Sequence, residues 1–176
     1  MRIARILEQT ENEMKTLVLI RHAKSSWDSK AETDFDRPLS DRGRKDAPRI
    51  AAFLAGKDLE PNQIVTSPAA RALTTARMIA EGIGLGEDRI LEDRRIYLAD
   101  LHHLQSIMRE FSEDWECVYV VGHNPTFTEA ANALAADDID NLPTCGVYAV
   151  RLRIDQWVKL RNGVGERLFF QRPKEL

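Results

Sequence analysis

Short apolar runs alternate with longer amphipathic stretches along this chain. Residues Thr16 to Ile20 form an unbroken apolar run rich in β-branched side chains, which predicts a buried strand. The run ends directly in Arg21 and His22. Ser40-Asp41-Arg42-Gly43 then opens a helix predicted to reach about Leu54, with Pro48 marking a kink or an early end. Ile64 to Thr66 is a second strand. Ser67 as N-cap and Pro68 at the first helical position predict a helix start, and Ala72, Ala76 and Ile79 follow at packed-face spacing. Cys117 to Val121 is a third buried strand, leading into Gly122-His123-Asn124-Pro125 and a helix to about Ala136. Tyr148, Val150, Leu152 and Ile154 alternate with Ala149, Arg151 and Arg153, the pattern of a half-buried strand. Trp157 to Leu160 is expected as its antiparallel neighbour, with Phe169 and Phe170 closing the sheet. Residues 1–14 predict a short helix with Ile3, Ile6 and Leu7 on one side, an extension before a single domain over 15–176.

Strands alternating with helices predict an α/β layered fold. Ligands in such folds gather beyond the carboxyl ends of the strands. Arg21 and His22, Arg71 and His123 all fall at those ends, far apart in sequence but able to converge.

Composition narrows the function. The 176 residues are 43% hydrophobic and 30% charged, enough for an ordinary core. A net charge of −3 provides no broad basic field for nucleic acid or an anionic membrane. Cys117 and Cys145 are the two cysteines and do not form a C-x-x-C pair, so core packing in a reducing compartment is expected. The first residues lack the apolar core of a secretory signal, and no run approaches the roughly 20 residues that span a bilayer. A cytoplasmic protein, monomeric by default, is the expectation.

The residues at the strand ends suit phosphoryl chemistry. An arginine fork matches the oxygens of a phosphoryl group and stays charged. Two arginines with a donating histidine balance its charge without a metal or organic cofactor. His22 supplies a nucleophilic nitrogen, kept unprotonated by its cationic neighbours, while His123 donates to phosphate.

Together the motifs resemble one family. Leu19-Ile20-Arg21-His22-Ala23, Ser67-Pro68-x-x-Arg71-Ala72-x-x-Thr75-Ala76 and Gly122-His123-Asn124-Pro125 are similar to those of the histidine phosphatase superfamily, also called phosphoglycerate-mutase-like. Alanine after the histidine resembles the short SixA-type phosphohistidine phosphatase branch. Asp36-Arg37-Pro38-Leu39-Ser40-x-Arg42-Gly43 and Thr144-Cys145-Gly146 support the match, which runs from about Lys15 to about Leu160. The resemblance implies a three-layer α/β/α fold with a mixed, mostly parallel central sheet. It implies a covalent phosphohistidine intermediate on His22, with Arg21, Arg71 and His123 holding phosphate. It places Ser25 near the phosphate, with Ser26 a weaker candidate. Many members carry a glutamate that protonates the leaving oxygen. Here Glu92, Asp93 and Tyr97 are the candidates, in an unusual context.

Other residues invite weaker readings. His102 and His103 point about 100° apart on a helix with no third ligand evident, so an exposed helix is favoured over a metal site. Asp137, Asp138 and Asp140 read as a solvated helix end. Trp27 is read at the rim of the pocket, with simple packing as the alternative, and residues Lys24 to Asp36 are expected to form an exposed loop, whose Lys24 and Lys30, with Arg37, could receive an acidic partner. The expected substrate is phosphohistidine on a protein, because only about 50 residues separate Arg71 from His123 and leave little for a lid. A small phosphate ester is the first alternative and a non-catalytic phosphate- or phosphoprotein-binding module the second.

Overall fold

A computed structural model describes residues 14–28 and 30–176. The helix expected in residues 1–14 therefore lies, Met14 apart, outside the described residues. The strands are β1 (Lys15–Arg21), β2 (Gln63–Thr66), β3 (Ile90–Glu92), β4 (Cys117–Gly122), β5 (Val147–Leu152) and β6 (Gly165–Gln171). The helices are α1 (Asp41–Ala55), α2 (Ala70–Ile83), α3 (Leu101–Arg109) and α4 (Thr126–Ala135).

The strands form one sheet in the order β3-β2-β4-β1-β5-β6. β1 pairs parallel with β4, β4 with β2, and β2 with β3, whereas β5 runs antiparallel to both β1 and β6. The sheet is mixed and mostly parallel, as the family resemblance implies. Alternate residues of β1 reach opposite faces, and both faces are covered. Leu17 and Leu19 join a core with Val118, Val120, Leu104 and Met108 of α3, and Phe127 and Leu134 of α4. Val18 and Ile20 join a second core with Ile50 and Leu54 of α1 and Ala76 and Ile79 of α2. Two helices on each face make the three α/β/α layers. Double coverage explains why β1 and β4 read as unbroken apolar runs.

Four expectations need correction. β5 is buried on both faces except at Arg151, because Val147 and Ala149 enter one core while Tyr148, Val150 and Leu152 enter the other. Residues Trp157–Lys159 form a single 3-10 turn, not a strand. Trp157 and Leu160 are buried three residues apart while Val158 is 61% exposed, a turn period that no strand accommodates. Trp157 plugs the core against Phe111 and donates its indole N–H to the Trp115 carbonyl at 2.8 Å. The neighbour of β5 is β6, which carries Phe169 and Phe170. The helix after β2 begins at Ala70, and its N-cap is Ala69, not Ser67. Pro48 sits inside α1 without ending it. It lies on the exposed side, where water can take the carbonyl it leaves without a donor, while Ala47, Ile50, Ala51 and Leu54 anchor the buried face.

Ser40 caps α1 by accepting from the Gly43 amide at 3.2 Å. Gly43 lets this helix start press against the backbone of Lys24, two residues beyond His22, where an added Cβ would overlap the Lys24 carbonyl. Gly43→Ala is therefore expected to destabilise the protein by about 1–3 kcal/mol through overpacking. Denaturant unfolding measures the loss, and an unchanged midpoint would show that the loop yields freely.

Candidate active site

Strand register brings the distant motifs together. Arg21 pairs with Gly122, and Thr66 with Val121, so β1, β2 and β4 stop on one line. The next residues are tied across the gap: the His22 amide donates to the Gly122 carbonyl at 2.9 Å and the Ser67 amide to the Val121 carbonyl at 3.0 Å. His22 and His123 face each other with ring centroids 5.1 Å apart. Arg71 enters from the second residue of α2 and donates its Nε–H to His22 Nε2 at 3.3 Å. Thr75 fastens α2 to the His22 segment, accepting from the Ala23 amide at 3.0 Å and donating to the Arg71 carbonyl at 2.7 Å. Arg21 donates from Nη1 to the Leu142 carbonyl at 3.0 Å.

This geometry sets the protonation of His22. Its Nδ1 lies 2.8 Å from the Ala23 carbonyl, which can only accept, so Nδ1 carries the hydrogen and Nε2 keeps its lone pair. Burial disfavours the imidazolium most. The charges of Arg71, Arg21 and Arg37 add to that, outweighing the Ala23 hydrogen bond, and the pKa is pushed down to about 4. His123 is pushed down to about 3 by burial, then by His22 and Arg71. Two buried side-chain nitrogens at this site, Arg21 Nε and His123 Nδ1, have no hydrogen-bond partner among the described residues. The arrangement offers a neutral nucleophilic nitrogen beside two guanidinium groups and a second histidine, a setting for an anion with several acceptor oxygens.

The histidine phosphatase superfamily (branch 1) model matches residues 17–128, from the third residue of β1 into α4. The chain belongs to this superfamily. An uncharacterized chloroplastic protein of Arabidopsis thaliana is 33% identical over 151 residues, covering 81% of this chain and 69% of its own. Phosphoserine phosphatase 1 of Hydrogenobacter thermophilus is 35% identical over 108 residues, 58% of this chain and 49% of its own. Phosphoglycerate mutases are also among the relatives, and the chain spans about half the length of one from Azorhizobium caulinodans, as it does of the phosphoserine phosphatase. The crystal structure of a candidate phosphohistidine phosphatase SixA from Agrobacterium tumefaciens superposes with a TM-score of 0.75 at 26% identity, covering 90% of this chain and 98% of that one. Superfamily membership and the SixA-type fold agree with the enzyme class expected from the sequence, a phosphatase.

The remaining site candidates are placed unequally. Ser25 is buried, and its Oγ accepts from Arg37 Nη2 at 2.7 Å. Ser26 offers its carbonyl to Arg37 Nε at 3.1 Å. Trp27 is 76% exposed and carries the Arg37 guanidinium 3.5 Å above its ring. Tyr97 lies edge-on to His123 at 5.6 Å and lines a cavity of about 470 Å³ together with Arg71, His123, Leu98 and Asn124. Glu92 is exposed at the end of β3. Asp93 is engaged by Arg95 at 2.8 Å, which holds its carboxyl below the usual range. Of the three acid candidates, Tyr97 is the one that lines this cavity. His102 and His103 are exposed on α3, and His103 faces Asp100 at 2.8 Å. Among the described residues no group of three or more His, Cys, Asp or Glu could hold a metal ion, and no helix is long and apolar enough to cross a membrane.

Sequence reasoning missed Asp34, which it left in a polar loop. Its carboxylate accepts from Arg71 Nη2 at 2.9 Å, Arg37 Nη1 at 2.8 Å and the Tyr97 hydroxyl at 3.1 Å, and its backbone carbonyl accepts from Arg71 Nη1 at 2.6 Å. Partial burial raises this carboxyl, but Arg37, Arg71 and Tyr97 outweigh it and hold it below the usual range. Spacing carried no signal for this contact, because Arg71 lies 37 residues away.

The depressed histidines predict a pH effect. A buried His22 that stays neutral to about pH 4 takes up no proton where the unfolded chain, titrating near 6.5, does. Its stabilising contribution is complete above about pH 6.5 and is lost as pH falls from there towards 4. Unfolding free energy should therefore drop between about pH 7 and pH 4.5, and drop less in His22→Asn. Equal slopes in both proteins would refute the buried neutral histidine.

Proposed function

We propose that this chain is a phosphatase that takes a phosphoryl group onto Nε2 of His22 and returns it to water. The observation that carries this is the set of donors around that nitrogen. The Ala23 carbonyl leaves Nε2 of His22 unprotonated. Arg71 donates to it and can turn that N–H to an incoming phosphoryl oxygen. Arg21 Nε and His123 Nδ1 are buried donors without a partner among the described residues. In the first step the His22 Nε2–P bond forms, the bond from phosphorus to the leaving atom breaks, and the leaving atom acquires a proton. In the second, water attacks phosphorus, the Nε2–P bond breaks, and inorganic phosphate leaves. Both steps develop negative charge on the oxygens that Arg21, Arg71 and His123 face, and fixed donors stabilise it without reorganising.

Phosphohistidine on a protein fits this site best. The cavity of about 470 Å³ beside Arg71 and His123 has exposed Leu98 and Pro125 in its wall, so a phosphorylated side chain can enter from a protein surface. A leaving imidazole can be protonated from solvent before cleavage, which lessens the need for a dedicated acid. The similar SixA structure is described as a candidate phosphohistidine phosphatase, in keeping with this substrate. A second reading, a small phosphate ester, is favoured by the likeness to a phosphoserine phosphatase.

Asp34 enters this mechanism as a competitor. Its carboxylate and carbonyl occupy the two outer nitrogens of Arg71, so a phosphoryl group gains them by exchange. Removing the competing charge should tighten anion binding, because apparent affinity is reduced by the fraction of closed sites. For a half-exposed ion pair worth about 1 kcal/mol, Asp34→Asn should bind tungstate about fivefold more tightly. Calorimetric titration checks this, and weaker binding by the variant would show that Asp34 holds Arg71 in place for the anion instead of competing with it.

The central test is to mix the protein with a phosphohistidine-bearing protein, quench at high pH, and map the acid-labile phosphate by mass spectrometry. Phosphate on His22, with release lost in His22→Ala, is the expected result. Release that survives in His22→Ala would remove His22 as nucleophile. Turnover confined to soluble phosphate esters would move the substrate to the second reading.

A further inference from the structure

Ser67 is fully buried at the end of β2, where the sequence reads as a helix cap, but α2 starts three residues later and does not use it as the N-cap. Its hydroxyl has two neighbours. The Ala69 amide donates to Oγ at 3.3 Å, and His123 Nε2 lies 2.8 Å from Oγ. An amide can only donate, so the hydroxyl hydrogen must find its acceptor elsewhere. Among the described residues, His123 Nε2 is the acceptor within hydrogen-bond distance. Were Nε2 protonated, the hydroxyl would receive two N–H donors and its own hydrogen would be buried without a partner, an arrangement that folded proteins avoid.

The geometry points to Ser67 as a positioning residue that holds neutral His123 in the tautomer with its hydrogen on Nδ1. That is the same nitrogen that is buried without a partner among the described residues, on a ring whose centroid lies 5.1 Å from that of His22. The Ser67 hydroxyl thus turns an ambidentate imidazole into one whose unpartnered nitrogen is the donor. A neutral imidazole has one donor and one acceptor nitrogen, and the wrong tautomer would present a lone pair to an anionic oxygen. What the donor serves rests on the phosphatase reading above; the tautomer itself does not.

The test is nitrogen-15 spectroscopy of the histidine-labelled protein at about pH 7. Wild type should show His123 protonated at Nδ1 and not at Nε2. Ser67→Ala should move the hydrogen to Nε2 or mix the two forms, while Ser67→Thr, which keeps the hydroxyl, should retain the wild-type pattern. Ser67→Ala should also weaken inorganic phosphate binding about tenfold, one hydrogen bond to a charged group, and add no further loss in a His123→Asn background. A wild-type spectrum with the hydrogen on Nε2, or a Ser67→Ala spectrum unchanged from wild type, would overturn the assignment. If the tautomer is as expected but His123→Asn binds phosphate normally, the role of His123 in the phosphatase reading fails while the positioning by Ser67 stands.

Discussion

Everything at this site depends on three parallel strands stopping in register. β2, β4 and β1 lie side by side at the centre of the sheet, and backbone hydrogen bonds continue one residue past their ends. Those bonds fix where His22, Ser67 and His123 leave the sheet. A slip of one residue in either pairing would send each side chain to the opposite face and bury it in a core. Both faces are filled by helices, so the cores enforce the register and the register builds the site. Gly43 and Thr75 extend the constraint beyond the strands by fastening α1 and α2 to the segment after His22.

The site then separates charge from neutrality. Its arginines are fixed cations, whereas burial and those same cations keep both histidines neutral. A neutral histidine is useful only in a defined tautomer, and each has its own device. The Ala23 carbonyl takes the Nδ1 hydrogen of His22 and leaves Nε2 unprotonated, accepting from Arg71; the Ser67 hydroxyl engages Nε2 of His123. Two chemically identical rings 5.1 Å apart are thereby set facing different neighbours, and in the proposed chemistry one accepts phosphorus while the other donates to its oxygens. Asp34 balances the cations with a partly exposed carboxylate on a loop, a partner that an incoming anion can replace.

Much of this was legible in the sequence because local pattern carried it. The apolar runs of β1 and β4 announced strands covered on both faces, and the residues directly after them announced polar groups at their ends. Ser40 announced a helix start that the structure keeps. Where two elements compete, the pattern misled. Trp157 and Leu160 looked like a strand until burial placed them on one side of a turn. Ser67 carried a cap signature, but proximity to His123 gave its hydroxyl another partner. The contact of Asp34 with Arg71 could not be read, because a loop carboxylate 37 residues from its partner leaves no periodic trace.

The sequence by itself determined the α/β class and the four residues Arg21, His22, Arg71 and His123 as a group at or just after strand ends; the mixed, mostly parallel sheet and the family came through the resemblance of its motifs. It could do so because strand burial and strand-end chemistry are written within a few consecutive residues. The tertiary structure alone decided which strand flanks β5, which atoms of the two histidines are free, which of the acid candidates lines the cavity, and what holds Arg71. The contacts of Arg71, Tyr97 and His123 join residues 37 to 63 positions apart, and only the packed cores fix such distances.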